Sequence, residues 1–246
     1  MIIKKLILVA LMSAITNVAM AADNLYAKNY KAQNDGGLIS KDATPDTKMY
    51  VSNHKDDDNI SMLESGYDMM GSSGFEAAKI APELALQHAK SIKADTVLVY
   101  TKYANAKTAD SKMDVIREAA KKGKEVTEED LKTEENYDYY ASYWAKLPTP
   151  LLGIHVIKLV RAADPDDENT KKEEVAGLKI LAVIKDSPAY KAGLKKLDTI
   201  KKIGDVTINK SDDLFAAVKQ YQGKTVDIAY ERGDEAAIAK ATLNSR

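Results

Sequence analysis

The run Asp186-Ser187-Pro188-Ala189-Tyr190-Lys191-Ala192-Gly193-Leu194, leading into Asp198-Thr199-Ile200, constrains the fold more than any other stretch of the chain. A short apolar strand, Leu178 to Val183, precedes it. Ser187 followed by Pro188 reads as a helix N-cap with proline at the first helical position. Gly193 supplies a left-handed stop shortly afterwards. A helix of about a turn and a half cannot hold itself together, because nucleation costs more than so few hydrogen bonds return. Held between two strands, it must cap the end of a β-structure.

The spacing of this block resembles the bacterial PDZ domain of the kind appended to HtrA-type proteases, whose usual run is close to SPA-x-x-AGL-x-x-GD-x-I. The resemblance covers about Pro148 to Leu243, and the domain is expected over residues 148–246. It implies a partly open β-barrel with two helices that captures protein C-termini or extended peptides by adding them to a sheet edge. Leu151-Leu152-Gly153-Ile154 matches the carboxylate-binding loop that begins such domains. A glycine there lets successive N–H groups turn into one concavity that can hold a carboxylate. The strand Ile154 to Leu159 would accept the peptide, with Val156 among its contacts. The other wall would be the helix Ser211 to Lys219, capped by Ser211 or Asp212. On it the resemblance implies Ser211, Phe215 and Val218 toward the peptide and Leu214 toward the core. Helical periodicity alone equally allows Phe215 and Val218 to be core. A groove part-filled by Phe215 implies small or linear apolar side chains at the peptide end. Gly223 to Asp234 reads as a strand and a Gly-Asp hairpin turn, and a last strand ends at Leu243. Leu197 stands where these domains usually have glycine.

The first residues read as a secretion signal. Lys4 and Lys5 form a positive start, Leu6 to Ile15 is apolar but too short to span a bilayer, and Ala19-Met20-Ala21 is a cleavage site. Residues 1–21 are therefore expected to be removed before Ala22, placing the protein in the periplasm or outside the cell with no membrane span. There is no cysteine, which excludes a lipoprotein signal, disulfides and thiolate metal sites. A net charge of −1 with interspersed signs leaves no nucleic-acid footprint. The three histidines, His54, His88 and His155, lack a ligand spacing, so no metal and no cofactor is expected.

Between signal and C-terminal domain the chain divides in two. Residues 22–59 are polar and read as an irregular arm, with one strand expected at Lys48 to Ser52. Asp56-Asp57-Asp58 lacks the glycine and distal glutamate of a calcium loop and reads as a solvated loop, as does Asp164 to Asn169. Residues 60–147 read as a small α/β module of β-α-β-β order, making the whole chain α+β. Its pieces are a strand Tyr67 to Gly71 ending at a Gly/Ser turn, a helix Glu83 to Ile92, a buried strand Asp95 to Tyr103, and a strand Tyr137 to Trp144. A charged helical insertion, 110–135, separates the last two. In it Ser111 would cap Lys112 to Lys122, Gly123 would break the helix, and Thr127 with Asp130 would start a second piece. The pattern Gly66-Tyr67 to Gly74-Phe75, followed by Ala89-Lys90 to Asp95-Thr96-Val97, resembles a recurring bacterial envelope module. That resemblance implies no activity, and Lys93 replaces its usual glycine.

Catalysis has one candidate, Ser73 with His88 as its base. A serine triad needs a Ser–His hydrogen bond and an acid that orients the histidine, and the segment lacks the spacing of a hydrolase elbow. Ser72 and Ser73 are more simply turn residues. The expectation is an exported, non-enzymatic peptide-binding protein, an envelope adaptor or quality-control accessory lacking the protease that often precedes such a domain. The alternatives are a structural subunit whose groove is filled by its own arm before Ile60, and a serine hydrolase using Ser73. His155 is expected to face solvent or the sheet's other side. Oligomeric state is left open.

Overall fold

A computed structural model describes residues 24–33, 38–105, 109–127, 136–161 and 173–245. The signal segment 1–21 with its cleavage site, the acidic loop Asp164 to Asn169 and the second piece of the insertion beyond Thr127 lie outside them. In chain order the first half comprises α1 (Leu25–Lys28), β1 (Tyr30–Ala32), β2 (Lys48–Ser52), α2 (Lys55–Glu64), β3 (Tyr67–Ala77), α3 (Glu83–Ser91), β4 (Thr96–Asn105), α4 (Ala109–Lys121) and β5 (Asn136–Lys146). Its strands form a five-stranded sheet in the order β1-β3-β5-β4-β2, antiparallel except for the parallel pair β2/β4.

This sheet is covered on both faces, which is why β4 reads as an unbroken apolar run. Val97 and Val99 point toward α1 and α3, where Tyr26, Ala85 and Ala89 are fully buried. Leu98 and Tyr100 point the other way, with Trp144, toward Met62 and Leu63 of α2. The period of two along one strand thus feeds two cores.

Several expectations are corrected here. The segment before Ile60 is no separate irregular arm: α1, β1 and β2 are integral to the sheet. Asp56, Asp57 and Asp58 form the first turn of α2 and no loop, where carboxylates meet the positive end of the helix dipole. The Asp58 carboxylate also accepts a hydrogen bond from the Tyr100 hydroxyl at 3.2 Å. The strand at Tyr67 does not stop at Gly71 but runs to Ala77 through the Gly/Ser stretch. Gly71 is needed because β1 crosses there, and a Cβ would strike the Lys31 carbonyl and the Tyr30 ring. The insertion's helix begins at Ala109, so Ser111 lies inside it rather than capping it.

The second half contains β6 (Ile154–Ile157), β7 (Val160–Arg161), β8 (Glu173–Glu174), β9 (Leu178–Val183), α5 (Pro188–Lys191), β10 (Thr199–Ile203), β11 (Val206–Thr207), α6 (Ser211–Gln220), β12 (Thr225–Arg232) and β13 (Glu235–Thr242). Its main sheet runs β13-β12-β10-β9-β6 with β11 paired to β10, and it is open, with β6 at one edge. Ile180, Ile200, Ile203, Ile208 and Ile228 are fully buried between this sheet and the helices. Each such side chain contributes about 1.5–3 kcal/mol of transfer free energy.

The two halves meet through backbone. Lys185 N–H donates to the Glu64 carbonyl at 2.8 Å, next to the bond from Leu147 N–H to the Gly66 carbonyl at 3.0 Å that closes the end of the first half. The end of α2 therefore lies against the turn that leads into α5.

Both positions where a resembling family has glycine carry the left-handed backbone that glycine would serve. Lys93 has φ 57° and Leu197 φ 75°. Lys93 follows α3, where Ala94 N–H closes back on the Ala89 carbonyl at 2.9 Å, so the helix stops despite the missing glycine. Leu197 is 62% exposed and loses little burial if truncated. Leu197→Gly should raise the stability measured by chemical denaturation by up to about 1 kcal/mol, since relief of the left-handed penalty exceeds the entropy cost of glycine.

Candidate peptide-binding site

The short helix α5 forms as its residues dictate. Ser187, extended at φ −73° and ψ 166°, accepts the Tyr190 N–H on its hydroxyl at 3.2 Å. At the other end Gly193 takes φ 79° and Leu194 N–H returns to the Ala189 carbonyl at 3.1 Å. Against this cap lies the Leu151–Ile154 loop. Gly153 has φ 89°, and a Cβ on it would run into the Ser187 side chain. Any other residue there is excluded by both torsion and space.

The loop's hydrogen bonds are one-sided. The carbonyls of Pro150 and Leu151 accept from the Asn244 side-chain and backbone N–H at 2.7 and 3.0 Å. Those of Leu152 and Gly153 accept from Ala189 N–H and Ile184 N–H, each at 2.9 Å. Among the described residues, the N–H groups of Leu152 and Gly153 donate to nothing. With every carbonyl held inward, the loop keeps unspent donors suited to an anion.

The chain then enters β6, which pairs with β9 on one side, while no described strand pairs with its other edge. Ile154, Val156 and Val218 are all partly buried and pack on one apolar cluster with buried Leu152 and Leu214. Four of the expected residues therefore converge, Leu152, Ile154 and Val156 with Val218 from α6, while Leu151 and Gly153 complete the loop. Ser211 and Phe215 are exposed, Phe215 by 74%, and neither packs on that cluster. Phe215 is thus no core residue. The helix cap also differs from expectation. Ser211 is the first helical residue, and Asp213 reaches back to accept Asn209 N–H at 2.9 Å and Lys210 N–H at 3.1 Å.

Two residues of this domain make contacts that the sequence pattern does not announce. Lys158, just past β6, donates to the carbonyls of Val175 at 2.8 Å and Asn209 at 2.7 Å, tying the end of the strand to the approach of α6. Asp198, only 1% exposed, is gripped by Arg232 through Nε at 2.7 Å and a terminal nitrogen at 2.8 Å, and also accepts Lys195 N–H at 2.8 Å. Arg232 further donates to the Gly193 carbonyl at 2.9 Å, so one side chain of the β12–β13 hairpin holds the stop of α5.

Residues 150–243 match the family model described as PDZ domain. These residues form a PDZ domain. The serine protease Do-like HtrA of Lactococcus lactis subsp. cremoris is 31% identical over 102 residues, 40% of this chain and 25% of its own length. The serine protease HTRA1 of Xenopus tropicalis is 40% identical over 87 residues, 34% of this chain and 19% of its own. The chain thus spans a quarter or less of these relatives. The crystal structure of the HtrA3 PDZ domain bound to a phage-derived ligand (FGRWV) is 21% identical, covering 39% of this chain and 85% of that one with a TM-score of 0.29.

Outside the PDZ domain, Ser73 is wholly buried and gives its hydroxyl to the Tyr26 carbonyl at 2.6 Å, with the Tyr143 hydroxyl at 3.2 Å. His88 packs edge-on against Tyr30 and Tyr143, its Nδ1 3.4 Å from the Ser91 hydroxyl, and makes no bond to Ser73. The pair lacks the contact that a serine nucleophile requires. Burial instead pushes the Tyr143 phenol up to about 12.

His155 faces away from the groove, toward the first half of the molecule, with Nε2 buried and without a partner among the described residues. Burial lowers its pKa, against the opposing pull of Asp68 and the Leu63 carbonyl, and burial likewise lowers that of His88. Both are therefore neutral when folded and charge more readily when unfolded. Stability should be full above the ordinary histidine value of 6.5 and fall as pH drops below it, visible as a declining melting temperature between pH 7 and 5. Arg232→Met, which strands the buried Asp198 carboxylate, should lower the denaturation midpoint clearly more than Lys240→Met, which breaks only the exposed pair with Asp227.

Proposed function

We propose that this chain is an exported, non-enzymatic adaptor whose PDZ domain captures the free C-terminal ends of proteins or peptides as an added strand on β6. The observation that carries the reading is the joint geometry of the loop and strand. Among the described residues, Leu152 and Gly153 keep undonated N–H groups at the point where β6 begins, and no strand pairs with the outer edge of β6. A peptide lying along that edge would bring its terminal carboxylate to the loop and its backbone to the strand. Its apolar side chains would meet Ile154, Val156 and Val218, and the exposed Phe215 ring on α6 would be covered only when a peptide is bound.

Two observations weigh against the rival readings. The described strands of the arm before Ile60 pair with β3 and β4 and not with β6, which speaks against a groove filled by them. The hydroxyl of Ser73 is committed to Tyr26 inside a core. Export is read from the signal pattern of residues 1–21, and the envelope setting from that same pattern.

Fluorescence titration of the mature protein with a C-terminal peptide library tests the reading. Free-carboxylate peptides ending in a small or linear apolar residue should bind, and the same peptides amidated at the C-terminus should bind at least tenfold more weakly. Phe215→Ala, an exposed change that leaves the fold intact, should weaken binding several-fold. Equal binding of the two peptide forms, or no binding at all, would sink the proposal. Gly153→Glu is a poor probe, because contact with Ser187 makes it a folding variant.

A further inference from the structure

Behind the loop, on the side away from β6, lies a cavity of about 390 Å³ at the junction of the two halves. Three lysines line it, each from a different segment: Lys41 ahead of β2, Lys146 at the end of β5, and Lys185 before α5. Among the described residues none of the three has a carboxylate within ion-pair distance. Lys146 is the least solvated. Its ammonium bonds the Ser65 carbonyl and lies 4.4 Å over the Tyr67 ring. Burial and the neighbouring Lys41 both lower its pKa, against the pull of Asp95. A positive group held partly out of water beside a second one is stabilised by any anion that enters.

Thr149 and Asp186 also line the cavity. The N–H groups of Thr149 and Asp186 make no hydrogen bond among the described residues. Asp186 sits in the left-handed region at φ 61°, and a left-handed residue in a tight turn is the backbone shape from which anion-binding nests are made. Asp42 and Asp186 also line the cavity, but both are exposed and leave the lysines in the majority. The volume lies within the range of small-molecule sites.

We propose that this junction cavity is a second ligand site, taking a small oxyanion, a phosphate or compact polycarboxylate, between Lys41, Lys146 and Lys185. The site shares Pro150 and Ser187 with the back of the Leu151–Ile154 loop and is otherwise independent of the peptide reading. It also gives the two halves a reason to stay docked, since its lysines come from both.

Isothermal titration of the full mature protein with inorganic phosphate, and separately with citrate, at ionic strength held constant with sodium chloride, tests the site. Saturable uptake of either anion is expected. Phosphate alone would assign a phosphoryl ligand, citrate alone a polycarboxylate, and both the oxyanion class as a whole. The double variant Lys41→Gln/Lys185→Gln, at two exposed positions, should weaken uptake at least tenfold, while Lys240→Gln on β13 should leave it unchanged. Absence of saturable uptake of both anions, or uptake indifferent to the double variant, would overturn the proposal. Peptide binding measured on the same variants stands apart from either result.

Discussion

The contact on which the PDZ half depends is the one between Gly153 and Ser187. Gly153 has no Cβ and a left-handed backbone, so the loop can lie directly on the N-cap of α5. That closeness lets Ala189 N–H and Ile184 N–H take the carbonyls of Leu152 and Gly153. Once the carbonyls are engaged inside, the loop's own N–H groups are left over, and the strand that follows begins at the sheet edge. A helix of four residues is thus the anchor for the Leu151–Ile154 loop rather than an ornament of it.

The same helix is held from its other end by a charge. Asp198 is buried and would be costly unpaired, yet its carboxylate oxygens accept two bonds from Arg232 and one from Lys195 N–H. Arg232 adds a bond to the Gly193 carbonyl and so ties the helix stop to a hairpin nearly forty residues away. Leu197 keeps the intervening turn by accepting the backbone torsion that a glycine would take freely. The turn's shape is therefore preserved although its usual residue is not.

Much of this was legible before any coordinates. The N-cap, the proline and the glycine stop of α5 are local signals, and local backbone preferences decide them. The runs at β4, β5, β9 and α3 announce themselves by period and composition. The loop residues from Leu151 to Ile154 could be named because they match the carboxylate-binding loop of the PDZ family at the expected distance from the α5 block; a glycine between apolar residues would not have singled them out alone. What failed was mostly at polar segments. Asp56 to Asp58 look like a loop because nothing in their side chains signals helix, but carboxylates in a first turn are stabilised by the helix itself. The Gly/Ser stretch after Met70 looks like a turn, yet its small residues mark where β1 crosses β3 closely.

The sequence by itself determined the short capped helix, because its cap, proline and glycine stop act within a few residues, and through its likeness to a family the PDZ half and the Leu151–Ile154 loop. Only the tertiary structure decided which elements meet. It joined β1 and β2 to β3 and β4, buried Ser73 against Tyr26, turned His155 toward the first half of the chain, and paired Asp198 with Arg232. It also brought Lys41, Lys146 and Lys185 around one cavity. Those juxtapositions come from packing two sheets and their connections together, and distance along the chain carries no trace of them.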